Sequence, residues 1–198
     1  MKKIVWALDL EKEGDQEALE SFEQIRFFAD LQGWTAEPVY VVPKKSEFGG
    51  SDHEIEAVRS SFLIRILELK KKLDSPLLTG GKVLVDVLSR GLSQTEVLSR
   101  YAKEINAQLV IISGQGRVGF ARFLSGSFTE AMISESEVPL LSINAQNVPQ
   151  RKVNRILFAT DFSDESFCVF KKFLKFASAA DSDVALYHHH MYHLIENV

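Results

Sequence analysis

This chain is poor in the residues that usually mark a reactive or a cross-linked protein. Cys168 is the single cysteine in 198 residues, so no intrachain disulfide can form, and an intracellular, reducing compartment is the natural expectation. No G-x-S-x-G elbow, no C-x-x-C pair and no H-E-x-x-H run occurs, and catalysis is therefore not the default reading. No apolar run is long enough to span a bilayer. The opening stretch, Met1 to Asp15, has two lysines and then only a brief apolar segment before acids take over, too short for a signal-peptide core. The formal net charge of −4 offers no general attraction to nucleic acid or anionic membrane. Lys70, Lys71 and Lys72 form the one compact basic run, read as a solvated helix terminus.

What is present is ordinary globular composition, 45% hydrophobic and 25% charged, which excludes a disordered chain. The apolar segments alternate in period. Lys3 to Asp9 is a continuous run, as expected of a strand covered on both faces. Ala18, Phe22, Ile25 and Ala29 then fall at helical spacing from Asp15 to Gln32, and Gly33 is the expected left-handed stop. A second strand is expected over 36–42, with Pro38 near its start or at a bulge. A polar loop over 44–52 comes next, on the side where ligands would lie. Ile55, Val58, Phe62, Ile66, Leu69 and Leu73 trace one face of a helix over 53–73.

A third strand is expected around Asp86, from Val83 to Leu88. Ser93 and Glu96 have capping-box spacing for a helix to about Asn106, and Leu109–Ile112 is a fourth strand. Ser127 and Glu130 repeat the capping-box spacing, and Pro139–Asn144 is a fifth strand. Strict strand–helix alternation over 1–147 predicts an α/β domain with an open parallel five-stranded sheet and helices on both faces.

Between the fourth strand and the helix at Ser127 lies SGQGRVGFARFLSGS, residues 113–127. Its glycines leave backbone N–H groups unshielded, and a helix N-terminus waits at its end, a combination suited to phosphate. The G-x-G-x-x-G at Gly114, Gly116 and Gly119 is not read as a dinucleotide fingerprint. That motif belongs to the first strand-to-helix turn, whereas these glycines come after the fourth strand. Ser113, Gly116, Gly126 and Ser127 instead fit the spacing G-x2-G-x9-G-(S/T), with Ser113 where the first glycine is expected.

That spacing resembles the signature of the universal stress protein family, in its ATP-binding branch, and the resemblance covers the whole first unit. It implies a Rossmann-like fold of the adenine nucleotide alpha hydrolase-like kind. It also implies ATP with Mg²⁺ across the carboxyl edge of strands one and four. In that arrangement Asp9 would meet the adenosine end, the backbone of Val41 the adenine, and Ser113, Gly114, Gly116, Gly126 and Ser127 would line the phosphate loop. Arg117 and Arg122 lie within the loop as further phosphate candidates. Asp9, Glu11 and Glu13 crowd acids at the mouth, able to hold Mg²⁺ through water or to repel a triphosphate.

Residues Arg155–Asp161, RILFATD, restate Lys3–Asp9, KIVWALD, so Asp161 stands where Asp9 stands in the first copy. A helix over 163–180 with Phe167, Phe170, Leu174 and Ala177 inward, and a strand over 184–187, complete β-α-β. Cys168 reads as a small hydrophobe of that helix. Residues 148–198 are thus a partial second repeat without a glycine loop, and the chain resembles a tandem member of the family with a truncated second domain. The exposed half-repeat suggests a homodimer through strand or half-repeat packing. His188, His189, His190 and His193 form a histidine cluster, weighed as a zinc site against the plainer reading of polar residues at a strand's end.

The function expected is a cytoplasmic regulatory switch in the stress response, binding ATP with at most slow hydrolysis and presenting a surface to an unidentified protein partner. Two alternatives remain: a nucleotide-free interaction module working through dimerisation, and an enzyme that adenylylates a substrate.

Overall fold

A computed structural model describes residues 2–10, 15–42, 52–85, 93–114, 127–144 and 153–188. The chain divides into two compact units, Met1–Pro149 and Gln150–Val198. The first unit runs β1 (Lys3–Leu8), α1 (Asp15–Gln32), β2 (Thr35–Val41), α2 (Asp52–Leu73), β3 (Lys82–Leu84), α3 (Gln94–Glu104), β4 (Leu109–Gly114), α4 (Ser127–Glu135) and β5 (Leu140–Asn144). Its five strands are all parallel, in the order β3-β2-β1-β4-β5.

Residue parity along the strands sorts the core into two layers, because successive strand side chains face opposite ways. Ile4, Trp6 and Leu8 of β1, with Tyr40, Ile111 and Ile143, pack under α1 and α2 through Phe22, Ile25, Ile66 and Leu69. Val5, Val39, Val41, Val110 and Ile112 pack on the other face against Leu98 and Ala102 of α3 and Met132 of α4. Trp6 and Phe22 meet at a centroid distance of 5.8 Å. The expected stripe on α2 is the covered one, with Ile66 and Leu69 buried, whereas Ile64 and Leu67 face outward. Gly33 stops α1 at φ +62°, in the left-handed region.

Strand ends differ from expectation by one to several residues. Asp9 lies just past β1, β3 is three residues long, and β4 continues through Ser113 and Gly114, paired with Ile143 and Asn144. Asp86 and the polar loop over 44–51 lie outside the described residues.

Pro38 sits inside an interior strand, and the ladder explains how. Even-numbered β2 residues direct their amides toward β3: Ala36 donates to the Leu77 carbonyl and Val42 to that of Leu84. The partner segment takes one residue more than β2 over that interval, and the surplus falls at Gly80 and Gly81, both at positive φ. The missing Pro38 donor therefore faces a bulge in its partner. Lys70 Nζ donates to the Gly80 carbonyl, so one lysine of the basic run ties α2 to the sheet edge.

Beside this bulge, Glu37 is buried at 7% exposure. Its carboxylate accepts from Lys3 Nζ at 3.4 Å and from the Tyr101 hydroxyl at 3.1 Å. Burial first, and then the charge and hydrogen bond of Glu37, push the Tyr101 phenol up to about 12.

The second unit is β6 (Arg155–Ala159), α5 (Asp164–Ala179) and β7 (Asp183–Tyr187), with β6 and β7 parallel. Phe158 packs against Phe170 and Phe173 at 4.9 and 5.1 Å. The inward stripe of α5 is Ser166, Phe170, Phe173 and Ala177, rotated from the expected one, and Phe167 and Leu174 are exposed. On the same side, the Ser166 hydroxyl meets that of Thr160 at 2.9 Å, at the end of β6. Cys168 is exposed rather than packed. Leu157 of β6 and Tyr187 of β7 are exposed, at 65% and 50%. No described helix is long and apolar enough to cross a membrane.

Two consequences are measurable. Gly33→Ala, in open space, should lose about 1 kcal/mol from its left-handed backbone. Gly80→Ala should lose about 2–3 kcal/mol, because its Cβ would also meet the Glu37 carboxylate at 2.3 Å, held by Lys3 and Tyr101. Equal urea midpoints for the two variants would remove the steric part. Tyr101 keeps its proton in the fold until about pH 12, whereas the unfolded phenol releases it near pH 10. Its stabilisation is thus full below pH 10 and lost as pH rises through 12. Tyr101→Phe should flatten that alkaline decline, and the phenolate absorbance should lose a component titrating near pH 12.

Candidate functional site

The strand order reverses direction between β1 and β4. From β1 the chain moves outward to β2 and β3 through helices on one face, and from β4 it moves to β5 through a helix on the other. Such a switch point opens a crevice at the carboxyl ends of its two strands. Asp9 stands there as the first residue beyond β1, half-buried.

The register brings three of the expected residues to one level. Leu8 pairs with Tyr40 and Ala7 with Ile112, so continuing the registers, by one step toward β2 and by two toward β4, sets Asp9 between Val41 and Gly114. With strands about 4.8 Å apart, the three lie within about 10 Å across the sheet edge. Ser113, half-buried, is one residue below Gly114 in β4. It is not among the described non-glycine residues at positive φ, which are Asp74, Asn106, Phe162 and Asp181. Serine in place of glycine therefore carries no backbone strain at position 113.

Ser127 is the first residue of α4. A helix returning from β4 to a parallel β5 runs opposite to the strands, so its N-terminus rises at this same carboxyl edge. The N–H groups of that first turn have no helical partner and favour an anion. Gly116 and Gly126, with Arg117, Arg122, Glu11 and Glu13, lie outside the described residues. Of the expected site residues, Asp9, Val41, Ser113, Gly114 and the start of α4 at Ser127 are thus placed together.

One residue at this edge was not expected. Gln94, the first of α3, donates from Nε2 to the Val41 carbonyl at 2.9 Å. Odd-numbered β2 residues face β1, as in the Thr35 amide on the Lys2 carbonyl at 3.1 Å. Because β1 ends at Leu8, the Val41 carbonyl lies past its last strand donor, and Gln94 serves in its place. Ser93 fixes the helix start through a full capping box, its hydroxyl accepting from the Glu96 amide at 3.1 Å and its own amide donating to Glu96 Oε2 at 2.6 Å. The Ser93–Glu96 spacing was visible in the sequence. That the residue between would reach across to β2 depends on the tertiary placement of α3.

The second unit treats the corresponding residues differently. Asp161, the counterpart of Asp9, accepts from the Ser163 amide at 3.0 Å and the Ser163 hydroxyl at 2.7 Å. Those bonds, the backbone one first, hold its carboxyl below the usual aspartate range. Ser163 in turn caps α5 by accepting from the Ser166 amide at 3.1 Å. His188 Nδ1 lies 2.8 Å from the Thr160 carbonyl, and its ring packs on Phe162 at 4.9 Å. His189, His190 and His193 lie outside the described residues, and among the described residues no group of three or more His, Cys, Asp or Glu side chains could hold a metal.

The model of the universal stress protein family matches residues 1–144. No curated protein matches the chain in sequence. Among solved structures, a universal stress protein from Archaeoglobus fulgidus DSM 4304 superposes with a TM-score of 0.69 at 16% identity, covering 94% of this chain and 66% of that one. Another from Archaeoglobus fulgidus covers 72% of this chain and 98% of its own, with a TM-score of 0.49 at 20% identity. A family protein from Arabidopsis thaliana with AMP bound covers 73% and 91%, with a TM-score of 0.44 at 10% identity. The first likeness establishes the fold.

The Asp161 bonds can be tested directly. A folded carboxyl below its ordinary value favours the fold above the unfolded value, a contribution lost as pH falls through the folded one. Ser163→Ala should move the Asp161 midpoint, tracked by carboxyl-carbon NMR, upward toward an ordinary aspartate. An unmoved midpoint would mean that the Ser163 hydroxyl contributes nothing and that the backbone amide, which alanine keeps, holds the carboxyl by itself.

Proposed function

The chain belongs to the universal stress protein family, and on that premise we propose that its first unit binds a magnesium-bound purine nucleoside triphosphate, ATP in the first instance, as a regulatory switch. The carrying observation is the convergence at the β1–β4 switch point of Asp9, Val41 and Gly114 at one level, with the N-terminus of α4 above it. The helix terminus and the glycine-flanked backbone suit the phosphates. Each N–H to a charged phosphate contributes about 1.5–3 kcal/mol, and the helix terminus about 0.3–1 kcal/mol.

In this reading Gly116, Gly126 and Ser127 complete the phosphate cradle, and Asp9 faces the adenosine end or holds Mg²⁺ through water. The ion would neutralise phosphate charge and orient the chain of phosphates. The switch acts in the cytoplasm, in the stress response, by presenting a nucleotide-dependent surface to a protein partner, with at most slow hydrolysis. The second unit is a partial family repeat, a reading supported by the RILFATD repeat and by a fold likeness spanning 94% of the chain.

A second reading, a nucleotide-free module acting through dimerisation, is favoured by two observations. The Val41 carbonyl already has a donor, and the second unit exposes Leu157, Phe162, Phe167 and Leu186.

Calorimetric titration of MgATP into the full chain and into Gly126→Val separates the two. Saturable heat in the wild type, lost in the variant, is expected from a phosphate cradle. No heat in either, and no nucleotide released on denaturation, would leave the dimerisation module.

A further inference from the structure

Strand β6 repeats β1 but lacks one of its neighbours. In β1 the odd-numbered residues Lys3, Val5 and Ala7 turn their backbone groups toward β4, as in the Gln108 amide on the Lys3 carbonyl at 2.8 Å. Their counterparts in β6 are Arg155, Leu157 and Ala159. The Thr160 amide donates to the Tyr187 carbonyl and the Asp183 amide to the Asn154 carbonyl, at 2.9 Å each. Even-numbered residues of β6 therefore serve β7, and Arg155, Leu157 and Ala159 turn the other way. Among the described residues β6 pairs with β7 alone. The consequence shows in the side chains: Val5 is fully buried, whereas Leu157, at its place in the repeat, is 65% exposed. Only Ala177 and Ala180 are buried among the described residues of the second unit. An open edge is ordinarily blunted by proline, lysine or a bulge, and RILFA, in continuous register with β7, has none of these.

We propose that β6 joins two copies of this chain, its outer edge pairing antiparallel with the same strand of a second copy about a two-fold axis at Leu157. In that register Leu157 faces Leu157 of the other copy, and on either side Arg155 faces Ala159. Each of these three pairs exchanges both of its backbone hydrogen bonds. Charge selects the occupant. Arg155 opens β6 and Asp161 stands two residues past its end, and Arg155 forms no ion pair among the described residues. Antiparallel pairing brings each arginine to the aspartate end of the other strand, whereas parallel pairing would set like charges side by side. The arrangement is self-complementary and closes at two chains. It rests on the dimerisation in the second reading above, to which it gives a surface, and it is independent of whether the first unit binds nucleotide.

The test is the mass of the full chain in solution, by sedimentation over a concentration series, for the wild type, Leu157→Lys and Leu157→Pro. Neither substitution disturbs the β6–β7 ladder, because the Leu157 amide points away from β7 and its side chain is exposed. Lysine places like charges together at the two-fold, and proline removes both hydrogen bonds of the central pair. Losing two hydrogen bonds corresponds to roughly five- to hundred-fold weaker association. The wild type should sediment at twice the chain mass, with Leu157→Pro dissociating more readily by that factor and Leu157→Lys shifted in the same direction. A wild-type dimer that neither variant weakens would overturn the β6 edge and leave dimerisation to another surface. A monomeric wild type would overturn dimerisation and this inference together.

Discussion

Everything in the first unit depends on β1 being paired on both sides. Its hydrogen bonds go to β2 along one edge and β4 along the other, and Ile4, Val5 and Trp6 are fully buried. A strand so placed must be apolar on both faces, and that is why KIVWAL is continuous rather than alternating. The same double pairing forces the chain to reverse its direction of travel across the sheet at β4. The crevice at Asp9 is a geometric by-product of that reversal, and the α4 terminus joins it because a return helix must begin where the strand ends. Fold and candidate site share one cause.

Much of this was legible from residues alone. The helix Asp15–Gln32 and its stop at Gly33 could be read from apolar period and one glycine. The capping box at Ser93 was readable from a four-residue pattern whose bonds are local. Strand ends were less legible. Ser113 and Gly114 look like loop residues by type, yet both extend β4 because Ile143 and Asn144 of β5 are there to pair with them. On α5 the expected Phe170 and Ala177 are inward, but Ser166 and Phe173 stand in place of Phe167 and Leu174, because apolar count alone does not register a polar contact such as Thr160 with Ser166. Gln94 had no sequence signal. Its reach to Val41 spans 53 positions and depends on where α3 lands.

The two units give the same aspartate different surroundings. Asp9 stands at the open end of a five-stranded sheet, flanked by two strand ends. Asp161 stands before a helix whose N-cap, Ser163, engages its carboxylate with both amide and hydroxyl. One position in a repeated segment faces a crevice in the first case and organises a helix start in the second. The residue two positions on also differs, a serine in Asp161-Phe162-Ser163 and a glutamate in Asp9-Leu10-Glu11.

The bulge opposite Pro38 gives the sheet a seam. Beyond β2 the pairing consists of a single bridge at Leu78, a gap at Gly80 and Gly81, and three residues of β3. Proline leaves no amide hydrogen pointing into that gap, so the discontinuity leaves no stranded donor at position 38. On the other side of β2 the ladder to β1 is unbroken from Lys3 to Leu8. Thermal opening should therefore be graded across the sheet, with β3 parting from β2 at lower free energy than β2 from β1. Asp9 and Gly114 lie on the far side of β2 from that seam, whereas Val41 pairs across it with Leu84.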